Sequence, residues 1–324
     1  MLSFIHTTLG LCVLSILPLS ALGQQPGKTP KFVLFEHDGW RTSVAFSPDG
    51  KTVATGANDN QIRLFDIATR KERLAITAHG AKQVGISRLA YFPDGKMLAS
   101  AGGDSIKLWE VGTGGERQEI ATKRWGFSLL EVSPDGKILA FGEGGTIRLH
   151  DMKTGRVGHS LSVRMAVDSA AFSHDSKFLA TANGDGSARI WNVTTGETVR
   201  VIPAGVSTAT GSQGVAFSPD GKILATASRK IRLWKVATGE EIAALGVADE
   251  IPFCIAISPD GRFLACGARH GALRLWEMAT HKQIHSWHEP TYSVAFSPDS
   301  KWLAFGQMVP HGGASLVEIG ALGK

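Results

Sequence analysis

Within the 324-residue chain, His79, Ser100 and Asp104 lie close together, with Trp109 just beyond them. A histidine that takes a serine proton while a carboxylate orients it is the working unit of acyl transfer, so this set would pass a motif search for a catalytic triad. Its usual companions are missing. There is no GxSxG, no HExxH, no phosphate-cradling glycine loop and no pair of carboxylates in a suitable context. The cysteines, Cys12, Cys254 and Cys266, form no CxxC and no Cys-His cluster, so neither a zinc site nor a disulfide framework is supported. No metal or cofactor is expected. The other residues with chemical potential suit binding: Trp40, Arg41, Trp125, Phe127, Arg164, Arg229, Arg269 and Tyr292 are the aromatic and arginine types that concentrate energy at interfaces.

The elements that must position these residues recur. SPDGK ends at Lys51, and its counterparts end at Lys96, Lys137, Lys177, Lys222, Arg262 and Lys301. The turn aspartates Asp49, Asp94, Asp135, Asp175, Asp220, Asp260 and Asp299 step by 45, 41, 40, 45, 40 and 39 residues, the period of a four-stranded propeller blade. In each copy a period-2 strand such as Val44-Ala45-Phe46 runs into the turn, where Pro fixes φ and Gly accepts the left-handed conformation. A second strand follows, then a third, as at 62–67 and 106–111. Thr-Gly steps at 113–114, 154–155, 195–196 and 238–239 lead into a fourth. The last copy stops after its third strand, while Phe32-Val33-Leu34-Phe35 precedes the first complete copy. Pairing the two would close the ring and remove an open sheet edge. The expected fold is therefore all-β, a seven-bladed β-propeller of four-stranded antiparallel blades spanning 31–320, with a short tail at 321–324.

With Leu108-Trp109-Glu110, Ile190-Trp191-Asn192, Leu233-Trp234-Lys235 and Leu275-Trp276-Glu277 set against the SPDG turns, the chain resembles the WD-repeat propeller family from residue 31 to about 320. It resembles a bacterial-type secreted member with degenerate copies, because Asp66 and Asp151 follow Phe65 and His150 rather than Trp. The resemblance implies that His79, Ser100, Asp104 and Trp109 hydrogen-bond as a structural tetrad inside blade two. Blade one offers His37, Thr55 and Asp59 without the indole, and blade four offers Thr181, Asp185 and Trp191 without the histidine. A buried tetrad has no catalytic access.

Residues 1–23 contain no Lys, Arg, Asp or Glu, and an apolar run from Leu9 to Leu22 ends in Ala21-Leu22-Gly23. This reads as a signal peptide cleaved after Gly23, followed by a flexible linker at 24–30; a retained anchor is the weaker alternative. The run is too short for an ordinary membrane span, so no stable membrane insertion is expected after cleavage. The protein is expected to be secreted or periplasmic.

The net charge of +5 invites a nucleic-acid reading, but 13 of the 34 Lys and Arg residues occupy repeat positions spread around the ring. A nucleic-acid site wants a one-sided patch, and none is expected. Aligning the copies on Arg41 puts Ile86, Phe127, Val167, Ser212, Pro252 and Thr291 where the first strand enters the channel. None is a carboxylate or an imidazole, although Asp168 and Glu250 lie one or two positions away. Cys254 and Cys266 are expected to be direct cross-strand neighbours if a three-residue loop joins Ser258 to Arg262, either as two buried thiols, the preferred reading, or as a disulfide. The function expected is non-catalytic binding of a protein or peptide outside the cytoplasm, by a chain monomeric on its own. The contact residues are the eight named above, on the face made by d-to-a and b-to-c connections; Trp40 and Trp125 serve equally well as plugs between blades. The alternative is a hydrolase or lyase with a small or carbohydrate-like ligand in the channel.

Overall fold

The computed structural model describes residues 31–36, 42–80, 85–122, 129–163, 165–205, 214–246, 252–268, 271–308 and 312–320. Outside them lie the signal-like segment 1–23, the linker 24–30, the tail 321–324, and Trp40, Arg41, Trp125, Phe127, Arg164 and Arg269. The described residues form 28 strands in seven four-stranded antiparallel sheets, which are the seven blades of a propeller. Lys31–Glu36 is β1. Blade one contains β2 (Ser43–Phe46), β3 (Thr52–Gly56), β4 (Gln61–Asp66) and β5 (Glu72–Thr77). Blade two contains β6 (Ile86–Tyr91), β7 (Met97–Gly102), β8 (Ser105–Glu110) and β9 (Glu116–Ala121). Blade three contains β10 (Leu130–Val132), β11 (Ile138–Glu143), β12 (Thr146–Asp151) and β13 (Arg156–Ser162). Blade four contains β14 (Val167–Phe172), β15 (Phe178–Asn183), β16 (Ala188–Asn192) and β17 (Thr198–Ile202). Blade five contains β18 (Gly214–Phe217), β19 (Ile223–Ala227), β20 (Ile231–Lys235) and β21 (Glu241–Leu245). Blade six contains β22 (Pro252–Ile257), β23 (Phe263–Ala268), β24 (Leu273–Glu277) and β25 (Lys282–Trp287). Blade seven contains β26 (Thr291–Phe296), β27 (Trp302–Gln307) and β28 (Gly313–Glu318), and β1 completes it by pairing with β28.

Side-chain volume explains why the blades converge. On each inner pair of strands one position faces its partner as Ala45/Ala54, Ala90/Ala99, Ala171/Ala180, Ala216/Ala225, Ala256/Ala265 and Ala295/Ala304, with Glu131/Ala140 in blade three. The third strand answers with Leu64, Leu108, Leu149, Ile190, Leu233, Leu275 and Leu316, all buried. Small residues near the axis and larger ones outside give a wedge, and close packing of wedges makes a ring.

The Ser-Pro-Asp-Gly turns use the same bonds around the ring. In blade one the Ser47 hydroxyl donates to Asp49 Oδ1 at 2.6 Å and accepts from Thr52 N at 2.9 Å, while Gly50, at φ 68°, donates its N–H to Ser47 O. Ser47 therefore faces Thr52 across a four-residue loop. The same bonds put Ser258 opposite Phe263, not Arg262. This corrects the expected register by one residue, and a one-residue slip moves every side chain to the other face. Cys254 pairs with Gly267 and Ile255 with Cys266, so the two thiols lie on opposite faces of blade six and cannot be bridged. Burial pushes the Cys254 thiol up to about 12. Thiol titration of the unfolded, unreduced chain is expected to count both Cys254 and Cys266, while the native protein reacts slowly; a chain with neither thiol free would overturn this register.

Two turns carry serine where the others have glycine. Ser176 and Ser300 hold φ values of 60° and 58°, a conformation that side chains adopt at a penalty. Each offsets it with a bond to the preceding blade: Ser176 Oγ accepts from Asp135 N at 3.1 Å, and Ser300 Oγ accepts from Asp260 N at 3.0 Å. Ser176→Ala keeps the strain and loses the bond, so it is expected to lower stability by about 1 kcal/mol. Ser176→Gly loses both and is expected to be nearly neutral. Urea melts of the two variants measure the difference, and an alanine variant as stable as the glycine variant would remove the inter-blade bond from the account.

Candidate functional site

Blade two brings three of the four tetrad residues together. Trp109 Nε1 donates to Ser100 Oγ at 2.8 Å, and Ser100 Oγ lies 2.9 Å from His79 Nε2. An indole can only donate, so Ser100 Oγ accepts from Trp109, and the tautomer of His79 sets which way the Nε2 contact runs. Among the described residues Nδ1 has no hydrogen-bond partner, so Asp104 does not complete the set through it. Burial first, then Lys107, hold the imidazole pKa down at about 4, so it is neutral. A Ser-His contact of this length is chemically competent, but Ser100 is fully buried beneath Trp109 and no substrate carbonyl can reach its hydroxyl.

The indole-to-hydroxyl bond recurs from Trp191 to Thr181 at 3.0 Å and from Trp234 to Thr226 at 2.9 Å. Where the hydroxyl gives way to a large side chain, the tryptophan gives way to a smaller one: Phe141 accompanies His150 in blade three, and Phe305 accompanies Val317 in blade seven. The pair fills a fixed volume in either form.

Of the eight residues expected on the binding face, two are described. Arg229 is exposed in the turn between β19 and β20. Tyr292, in contrast, is 5% exposed on β26 and turns toward the axis. Its hydroxyl meets Arg88 Nη1 and donates to Ser87 O at 3.2 Å, its ring lies 4.9 Å from the Arg88 guanidinium carbon, and Phe253 stacks against it at 5.2 Å.

These contacts form part of a cavity of 320 Å³ on the ring axis, lined also by Asp168, Glu131 and Cys254. The expected channel positions Ile86, Val167 and Thr291 do not line it; they are fully buried. A register shift follows each of them and Pro252 as well, between Ile86 and Arg88, Val167 and Ser169, Pro252 and Cys254, and Thr291 and Ser293. A bulge re-aims the next side chain, which is how Asp168, Phe253 and Tyr292 come to face the axis. Asp168 Oδ2 is buried without a partner among the described residues, and burial raises its pKa. Glu131 is held up at about 7 by burial, against the pull of Arg88. Sequence reasoning missed Arg88 and Glu131. Glu131 carried a legible signal, as the one departure from alanine four residues before the turn aspartate, but only the packed ring shows why alanine belongs there.

Seven four-stranded blades, closed by a strand from the opposite end and pinned by indole-to-hydroxyl bonds, define a WD-type propeller. The WD domain, G-beta repeat model matches residues 28–66, 71–110, 153–192, 206–235 and 248–277, more than half of the sequence, and the chain belongs to that family. It is similar to rat apoptotic protease-activating factor 1, at 28% identity over 231 residues, covering 68% of this chain and 18% of that protein. It is also similar to a guanine nucleotide-binding protein subunit beta of Arabidopsis thaliana, at 25% identity over 269 residues, covering 76% of this chain and 71% of that subunit. Chicken WD repeat-containing protein 1 matches a shorter stretch, 39% identical over 83 residues, covering 25% of this chain and 14% of that protein. The chain thus spans less than a fifth of the length of the first and third of these relatives.

Proposed function

We propose that this propeller is a non-catalytic scaffold that binds a protein or peptide, outside the cytoplasm, through the face built from d-to-a and b-to-c connections. The observation that carries this reading is the contrast between the two faces. Six of the seven SPDG-type turns repeat one hydrogen-bond pattern, with serine-to-aspartate distances of 2.6 to 2.7 Å. The connections at the opposite end differ in length and residue type from blade to blade, and recognition is carried by variable loops on a rigid frame. The relatives are in keeping with this: one is named as a subunit of a guanine nucleotide-binding protein and another as a protease-activating factor. The signal-like start supports export.

The cations argue for a protein partner over a nucleic acid. Arg63, Lys107, Arg148, Arg189 and Arg232 are each engaged by an acid of their own blade at 2.6 to 3.4 Å, leaving no one-sided basic stripe among these third-strand residues. Capture from a native envelope fraction, read by crosslinking and mass spectrometry, tests the face. Arg229→Glu, or Trp40→Ala with Arg41→Ala, is expected to lose the captured protein, whereas Lys222→Glu on the SPDG face retains it. Equal capture by all variants, or loss only with Lys222→Glu, would reject the assignment.

A further inference from the structure

The axial cavity is lined by groups of opposite charge, Arg88 from blade two, Glu131 from blade three and Asp168 from blade four. Arg88 uses Nη1 for its two hydrogen bonds, to Ser87 O and the Tyr292 hydroxyl, and among the described residues its other guanidinium nitrogens make none. Asp168, on the blade-four side, has a buried, unpartnered Oδ2 and no ion pair among the described residues. Arg88 neighbours the Glu131 carboxyl closely enough to oppose its burial-driven shift. The cavity's lining also includes the Phe253 ring and the small residues Ala171, Ala216 and Ala256. A buried carboxylate oxygen without a hydrogen-bond partner is destabilising, and the fold does not require one: at the same place on their strands, blade one carries Thr42 and blade two Ser87.

From this arrangement we infer that the cavity is a binding site for a small zwitterion of the free α-amino-acid class, whose carboxylate meets Arg88 and whose ammonium meets Asp168. A guanidinium edge presents parallel N–H donors to a carboxylate, and a desolvated carboxylate is the matching acceptor for an ammonium. A volume of 320 Å³ lies at the small end of ligand sites and suits a compound of this size. A molecule carrying only one of the two charges engages only one of Arg88 and Asp168, so both charges are needed for full affinity. The site lies on the axis, inside the ring, and is separate from the face proposed for the protein partner.

Isothermal titration of the full exported chain with each of the twenty free L-amino acids, and with ethylamine and propionate as single-charge probes, tests this directly. At least one amino acid is expected to bind with Kd below about 10 mM, and the single-charge probes to bind at least about tenfold more weakly. Asp168→Asn, which keeps the shape and removes the charge, is expected to weaken the bound amino acid at least about tenfold while leaving the melting temperature unchanged or higher. Arg88→Met tests the other end, with its melting temperature read alongside because the Tyr292 bond is lost. The inference is overturned if no amino acid binds at that limit, if ethylamine or propionate binds as tightly, or if Asp168→Asn binds like the parent.

Discussion

Removing residues 24–36 is expected to lower the stability of the propeller by several kcal/mol and to make it associate. The deleted stretch contains β1, which pairs with β28 from Lys31 opposite Val317 to Glu36 opposite Gly313. Without it, the edge of a strand whose Ala314, Leu316 and Val317 are fully buried would face solvent. The Phe32 ring, 6.2 Å from Trp302 and 3.5 Å from the Arg70 guanidinium carbon, would be lost with it. Buried apolar area and ladder bonds go together, and the last blade keeps only three strands. Thermal melts and size-exclusion chromatography of the truncated and parent chains decide the matter: equal melting and an unchanged elution volume would mean that closure by β1 contributes little.

Glu131→Ala is expected to stabilise the protein by about 2 to 3 kcal/mol at pH 8, and by almost nothing at pH 4. Burial lifts the Glu131 carboxyl from its ordinary 4.5 to about 7. The folded chain therefore holds a proton between those values that the unfolded chain has released, so this residue's contribution falls as pH rises through that window and is fully unfavourable above it. The figure allows for the solvent that reaches a half-buried side chain. The ionisable groups sharing the cavity are Arg88, Asp168, Cys254 and Tyr292, and of these Arg88 is the one that opposes the shift. Alanine is the natural replacement, because Ala45, Ala90, Ala171, Ala216, Ala256 and Ala295 hold the equivalent position in the other blades. Melts of parent, Glu131→Ala and Glu131→Gln across this pH range should separate at high pH and converge at low pH. A variant less stable than the parent at pH 8 would show that the carboxylate is satisfied by something other than solvent. Such a variant also removes a charge near Arg88, so its ligand affinity and its stability are separate measurements.

The architecture was legible in the sequence because it is local and repeated. A turn that needs Pro, Asp and Gly in order, set between period-2 strands and returning about every 40 residues, has few other solutions. The surplus strand at one end and the missing strand at the other are countable without coordinates, which is why Phe32 to Phe35 could be assigned to the last blade. The indole-to-hydroxyl pairs of blades two and four were readable too, from the resemblance of those copies to the family pattern, whereas the missing bond from His79 Nδ1 to Asp104 was not.

The tertiary structure decided whatever depends on a single residue of register or on several blades at once. Cys254 and Cys266 part company because the turn closes on Phe263 and not on Arg262, and in a strand one position is the difference between two faces. The bulge that follows Ile86, Val167, Pro252 and Thr291 leaves no mark in composition, yet it turns Tyr292 from an expected surface contact into part of the axial cavity. Arg88, Glu131, Asp168, Phe253 and Tyr292 come from five different blades; the repeat puts Asp168, Phe253 and Tyr292 at equivalent places, but their spacing does not show that all five share one cavity. Repetition fixes what each blade must be; only closing the ring determines which exceptional residues of separate blades face one another across its axis.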